Sequence, residues 1–238
     1  MQKLINSLLM TFIGVFLLVF SLYHLMNAQT FQVAGKLVTD VDTDEKVVAL
    51  TFDGGPTEMT EDILKSLEKY DVQATFFLNG STIMKHPEQL KKIVQTNHQI
   101  GNQSYSYEKM IFKSPSWIRQ EIETTDQLIR DAGYQGTIPF RPPYGKKLFV
   151  LPFYLQQHER DTVMWSIEPK IYADIDSEPE SIIQDVSDSV EPGSIISLEV
   201  MYESNEQYAI ETIEGIIEKL SAKGYTFTSV SELMTYQK

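Results

Sequence analysis

Short, continuously apolar runs recur along this chain, each followed by a stretch with helical periodicity. That alternation restricts the fold more than any single motif does. Residues 47–52, 74–79, 99–104, 138–141, 162–166, 194–198 and 225–228 read as strands, and residues 60–70, 87–96, 116–132 and 205–223 read as helices. The last helix carries Ile210, Ile213, Ile217 and Leu220 on one stripe, with Gly224 past its end. Strands that lack polar alternation are buried on both faces, which requires a parallel sheet covered by helices. The number of units suits a barrel, while periodicity alone also permits an open, doubly wound sheet. Either architecture gathers chemistry at the C-terminal ends of the strands, where Asp53, Arg141, Trp165 and Glu199 fall.

The N-terminus is of a different kind. Residues 4–25 are almost wholly apolar, broken only by Asn6, Ser7, Thr11, Ser21 and His24, and Lys3 is the only charge before Lys36. A stretch of this length can cross a bilayer as one helix, with Lys3 favouring a cytoplasmic N-terminus. Cleavage after Ala28 would place Met26 at a position that wants a small residue, so the expectation is a retained anchor. The expected organisation is an anchor over residues 1–28, a stalk over 29–45 and a domain over 46–238 on the extracytoplasmic side of the cell membrane. Hydrophobic residues make up 42% of the chain, enough for a full core, which excludes wholesale disorder. The net charge of −13 argues against nucleic acid and against electrostatic attachment to anionic lipid. There are no cysteines, hence no disulfides and no thiolate chemistry.

Five local patterns fall at or near predicted strand ends. The first is Thr51-Phe52-Asp53-Gly54-Gly55-Pro56, and residues 100–107 read Ile-Gly-Asn-Gln-Ser-Tyr-Ser-Tyr. Arg141-Pro142-Pro143-Tyr144-Gly145 is the third, a segment opening on Trp165 the fourth, and residues 193–199, ending in Glu199, the fifth. In order and spacing, over residues 45–235, they resemble the motifs of the polysaccharide deacetylases, the NodB-homology carbohydrate esterases. The resemblance implies an α/β fold, a distorted (β/α) barrel of the NodB type. It also implies N-deacetylation of amino-sugar polymers by a zinc or other divalent metal held by one Asp and two His.

Matched position by position, Asp53 stands where the family has its catalytic base, and Gly54 where it has the Asp ligand. Gln103 and Tyr107 stand at the two histidine ligands. Arg141 matches the arginine that pairs with the catalytic Asp. The Asp that orients the general acid would fall near Ile171, and Glu199 replaces the general-acid His itself. Glycine offers no side-chain oxygen, and an amide and a neutral phenol are poor ligands for zinc. The expectation is therefore no metal ligand and no cofactor, with Asp53 and Arg141 retained and Glu199 a substitute. His24, His86, His98 and His158 are isolated in sequence and read as structural or solvated.

The function expected is that of a membrane-anchored pseudoenzyme at the bacterial surface. It would bind a glycan, peptidoglycan or exopolysaccharide, or a cell-envelope protein. Tyr105, Tyr107, Tyr144, Trp165 and Tyr172 would offer aromatic faces to sugar rings. Two active alternatives stand beside it: a divergent N-deacetylase with nonstandard ligands such as Asp53, Gln103 and Glu199, and a metal-free glycosidase using Asp53 and Glu199 as a carboxylate pair.

Overall fold

The computed structural model describes residues 2–169, 178–199, 201 and 206–238. Ile171 and Tyr172, singled out in the fourth motif, and Asn205, the expected start of the last long helix, lie outside these residues. Helix α1 (Gln2–Asn27) contributes nothing to the core, and with a mean hydropathy of 2.2 it is long and apolar enough to cross a membrane.

The strands are β1 (Leu37–Val38), β2 (Val47–Asp53), β3 (Thr75–Leu78), β4 (Gln99–Asn102), β5 (Thr162–Val163), β6 (Ile195–Leu198) and β7 (Thr226–Thr228). β4, β3, β2 and β6 lie side by side in that order, all parallel, and β7 pairs with the first half of β2. The ring closes through single bridges. Phe140 links Asn102 to Thr162, and Ile167 links to Ile196. The strand expected over 138–141 is reduced to Phe140 because Pro139, Pro142 and Pro143 lack the N–H groups that a ladder needs. This is the expected distorted barrel, closed over part of its wall by irregular chain.

Every residue of β2 is buried, and its two faces serve different cores. Val48, Leu50 and Phe52 pack outward with the surrounding helices, whereas Val47 and Ala49 join Phe77, Met164, Trp165 and Ile195 in the interior cluster. Thr51 and Asp53 share the inward alternation, and this directs the Asp53 carboxylate into the barrel mouth.

The outer layer comprises α2 (Thr60–Lys69), α3 (Gly80–Lys85), α4 (Pro87–Val94), α5 (Pro115–Asp131), α6 (Val150–Gln157), α7 (Pro179–Ser189), α8 (Glu206–Ala222) and the short α9 (Val230–Leu233). α3, α6 and α7 were not expected from the sequence pattern.

The segment expected as a stalk is partly built into the barrel. β1 pairs in parallel with β5, Val38 and Val41 are buried, and Asp40 bridges antiparallel to Ser194. Gly193 receives this segment at very close range: a Cβ there would stand 1.8 Å from the Val41 carbonyl oxygen. Three apolar residues in nine carry no local period, so pairing with a strand more than a hundred residues away was invisible in the sequence.

Candidate functional site

Arg141 is fully buried, and its guanidinium collects acceptors from three other segments. Nη1 donates to Asp53 Oδ1 at 2.5 Å, to Thr51 Oγ1 at 2.7 Å and to Ser197 Oγ at 3.3 Å. Nη2 donates to the Met164 carbonyl at 2.9 Å and Nε to that of Val163 at 3.4 Å. The cation lies 4.0 Å from the Phe77 ring centroid and 5.3 Å from that of Trp165. Asp53 is 3% exposed, so the charges neutralise one another out of water.

The second oxygen of Asp53 is also engaged. Gln103 Nε2 donates to Asp53 Oδ2 at 3.0 Å, while Gln103 Oε1 accepts from the Gly54 N–H at 2.9 Å. One amide thus bridges the retained acid and the backbone at the position where the family has its Asp ligand. The pairing registers Asp53↔Phe77 and Leu78↔Asn102 bring the ends of β2, β3 and β4 together and set the amide in reach. Gly54 has φ +84°, in the left-handed region that disfavours a side chain.

Glu199 sits one residue beyond β6, next in register to Asp53 because Phe52 pairs with Leu198. Its Oε1 accepts from the Tyr107 hydroxyl at 3.4 Å. Burial pushes the Glu199 carboxyl above its ordinary value, and the negative charges of Asp53 and Glu168 push it further. Burial raises Glu168 as well, opposed by a hydrogen bond from Trp165. Three acids therefore compete for the field of one buried cation.

Outside this centre lies an open groove of about 690 Å³ lined by Ser106, Tyr107, Glu108, Lys109, Ile111 and Tyr144, among others. The Tyr107 and Tyr144 rings are 4.8 Å apart, and Lys109 Nζ lies 5.6 Å from the Tyr144 centroid. Both tyrosines hold left-handed backbone, φ 60° and 56°, which is uncommon for bulky residues and clusters at functional sites. Tyr105 packs over Gly80 at the start of α3, and Trp165 is 7% exposed in the barrel interior beneath the guanidinium. Of the four described aromatics expected to meet sugar, Tyr107 and Tyr144 line the groove.

Sequence reading missed Glu121. This buried carboxylate on α5 accepts from the Tyr105 N–H at 3.1 Å, the Ser106 N–H at 2.7 Å and the Ser106 hydroxyl at 2.8 Å, pinning the loop that carries Tyr107. The available signal was a carboxylate among Ile118, Ile122 and Thr125 on the buried stripe of the helix. The lone histidines stand apart from this centre; His98 accepts from the Ala74 N–H through Nδ1, and burial brings its pKa down to about 4.

The sequence profile of the polysaccharide deacetylases matches residues 40–162. The chain belongs to the polysaccharide deacetylase family. Among curated relatives, the peptidoglycan-N-acetylmuramic acid deacetylase PdaC of Bacillus subtilis is 32% identical over 83% of this chain, which spans 41% of that protein's length. A peptidoglycan-N-acetylglucosamine deacetylase of Bacillus cereus is 31% identical over 80% of this chain and 69% of its own length. Among solved structures, a CE4 family pseudoenzyme from Bacillus anthracis superposes with a TM-score of 0.77 at 26% identity, covering 87% of this chain and 71% of that one. A mutant of that pseudoenzyme with restored enzymatic activity superposes equally well, TM-score 0.77 at 28% identity, over 87% of this chain and 74% of its own.

Membership corrects one expectation from the sequence. The absence of any cofactor was expected, whereas the family is dependent on a divalent metal, zinc or cobalt, and that metal is what membership indicates here. The side chains at the three family ligand positions do not fit such an ion. Gly54 has no donor, both polar ends of the Gln103 amide are spent on Asp53 and the Gly54 N–H, and the Tyr107 hydroxyl faces Glu199. Among the described residues no three His, Cys, Asp or Glu side chains come together as a metal site.

Proposed function

We propose that this chain is a catalytically impaired, deacetylase-like glycan-binding protein, held in the cell membrane by α1 with its barrel on the extracytoplasmic side. The ligand is an acetylated amino-sugar polymer of the peptidoglycan class, the glycan named for the B. subtilis and B. cereus relatives. In this reading residues 1–28 are the anchor, and the domain begins at Leu37 rather than at residue 46.

One observation carries the proposal: both oxygens of Asp53 are taken, Oδ1 by Arg141 and Oδ2 by Gln103. The Arg141 contact is also that of the family's catalytic Asp, so the Gln103 contact sets this site apart: a general base needs a lone pair within reach of the proton it removes, and here the second oxygen of a carboxylate 3% exposed already accepts from an amide. The same commitment weighs against a carboxylate-pair glycosidase, in which one acid must be free to meet water or the anomeric carbon. What remains suits holding rather than cutting. Tyr107 and Tyr144 present ring faces, and Glu199, with its raised pKa, can donate a hydrogen bond to a sugar oxygen while neutral.

The test pairs binding with turnover on the full-length protein in detergent. Calorimetry with N-acetylglucosamine oligomers and muropeptide fragments should show binding that Tyr144→Ala weakens about tenfold, the worth of one ring contact of roughly 1.4 kcal/mol. Acetate release, assayed with zinc or cobalt supplied, should stay at the buffer level. Turnover matching that of the B. cereus deacetylase run alongside would overturn the reading.

A further inference from the structure

The chain leaves α1 beside the groove, and it is fastened there. Lys146 Nζ donates to Asn27 Oδ1, and Lys147 Nζ donates to the Ala28 carbonyl at 2.5 Å. Lys147 is 1% exposed, so this contact is part of the packed structure. Gly35 then lies against Gln156 of α6 before the chain enters β1. The end of the apolar helix is thus joined to the turn that carries Tyr144 and to the helix that follows it.

The surface around this junction is unlike the rest of the domain. Outside α1, seven large apolar side chains are exposed among the described residues, and five of them belong to segments that meet here. Phe31 lies four residues past α1. Tyr144 and Phe149 flank the two lysines, and Phe153 follows Phe149 by one turn on the same side of α6. Phe112 sits on the loop whose Met110 packs in one cluster with Leu151 and Leu155. The two stretches that carry Phe31, Tyr144, Phe149 and Phe153, residues 26–39 and 132–158, contain no Asp or Glu, in a chain of net charge −13.

We infer that this face docks on the lipid bilayer, with Phe31, Phe149 and Phe153 at headgroup depth and the groove mouth opening beside the membrane surface. The inference rests on the reading of α1 as an anchor. A helix that crosses the bilayer delivers its last residues to the interface, and whatever is bonded to Asn27 and Ala28 is held at that level. Exposed aromatic rings are characteristic of that interface, where they enter the headgroup layer. The overall negative charge argues against electrostatic attachment to lipid, and the docking inferred here rests on apolar contact and on the anchor. The glycan reaching Tyr107 and Tyr144 is accordingly membrane-proximal.

The absence of native cysteines gives a direct test. Full-length Phe149→Cys, Phe153→Cys and, as a control on the opposite end of the barrel, Gln135→Cys are nitroxide-labelled and reconstituted into phosphatidylethanolamine–phosphatidylglycerol vesicles. Flotation establishes that the protein is membrane-bound, and power saturation with oxygen and a water-soluble nickel chelate reads depth. Docking predicts an oxygen-to-nickel accessibility ratio several-fold higher at 149 and 153 than at 135. Equal ratios in floated vesicles would overturn docking and leave the anchor standing, whereas failure to float would remove the anchor and the inference with it. Exclusion of both reagents from 149 and 153 would also overturn it, because that pattern marks a protein contact such as a second copy.

Discussion

Replacing Arg141 with alanine should destabilise the protein far more than any change at the groove. The substitution removes five hydrogen bonds from a side chain with no exposure and leaves Asp53, 3% exposed, as a buried charge whose remaining side-chain donor among the described residues is the Gln103 amide. Breaking a buried ion pair in this way costs about 3 to 5 kcal/mol. For a protein of this size each kcal/mol moves Tm by about 2 to 4 °C, so the expected fall is roughly 6 to 20 °C. Asp53→Asn should cost less, about 1 to 2 kcal/mol, because Arg141 keeps its four other acceptors and the new amide oxygen can still accept. Adding Asp53→Asn to Arg141→Met should recover part of the loss, since the stranded charge goes with it. Thermal unfolding of the full-length protein in detergent, followed by tryptophan fluorescence, measures all three. An Arg141→Ala variant melting within about 2 °C of the parent, under 1 kcal/mol at this size, would refute the account of the pair as a buried structural unit.

Two further outcomes follow from the rim. Glu199 has a folded pKa above the ordinary 4.5, so its ionisation costs stability, and that cost grows as pH rises from 4.5 through the raised value. Glu199→Gln should therefore raise Tm at pH 7 and make no difference below pH 4; a pH-independent effect would place the carboxyl in water. The triple variant Gly54→Asp, Gln103→His, Tyr107→His should bind zinc more tightly than the parent by calorimetry. Its affinity should be held back by about 1 kcal/mol or more of strain from an Asp at φ +84°. A folded triple variant with unchanged zinc affinity would mean that the three positions do not converge as the strand register implies.

Much of the barrel is legible because its central strands are continuous apolar runs: β2, β3 and β6 fall where the sequence places them, within a residue or two. The remainder depends on partners distant in sequence. β1 is two residues long and exists only because β5 offers it a ladder. α6 carries Pro152 and has apolar residues on several sides, which hid its helical period. α7 was missed although Pro179 opens it and Ile182, Ile183 and Val186 form its buried face, a start signal that could have been used. At the site, motif spacing placed Asp53, Arg141, Gln103 and Glu199 in the right neighbourhood. That a single Gln103 amide would hold both Asp53 and the Gly54 N–H is a matter of side-chain geometry, and so is the loop held by Glu121.

The position of Arg141 also bears on how sequences of this kind are sorted. Its guanidinium ties β2, the Phe140 bridge segment, the chain after β5 and the end of β6 into one knot. Any chain that keeps this knot must keep Arg141 and an acid at 53, whether or not it turns over substrate. The rim residues Tyr107 and Glu199, which lie outside this knot, are under no such obligation and can drift once chemistry is no longer required. Motif scores that count all these positions equally will therefore rank silent barrels beside working ones. The informative positions are those whose loss the fold would not notice.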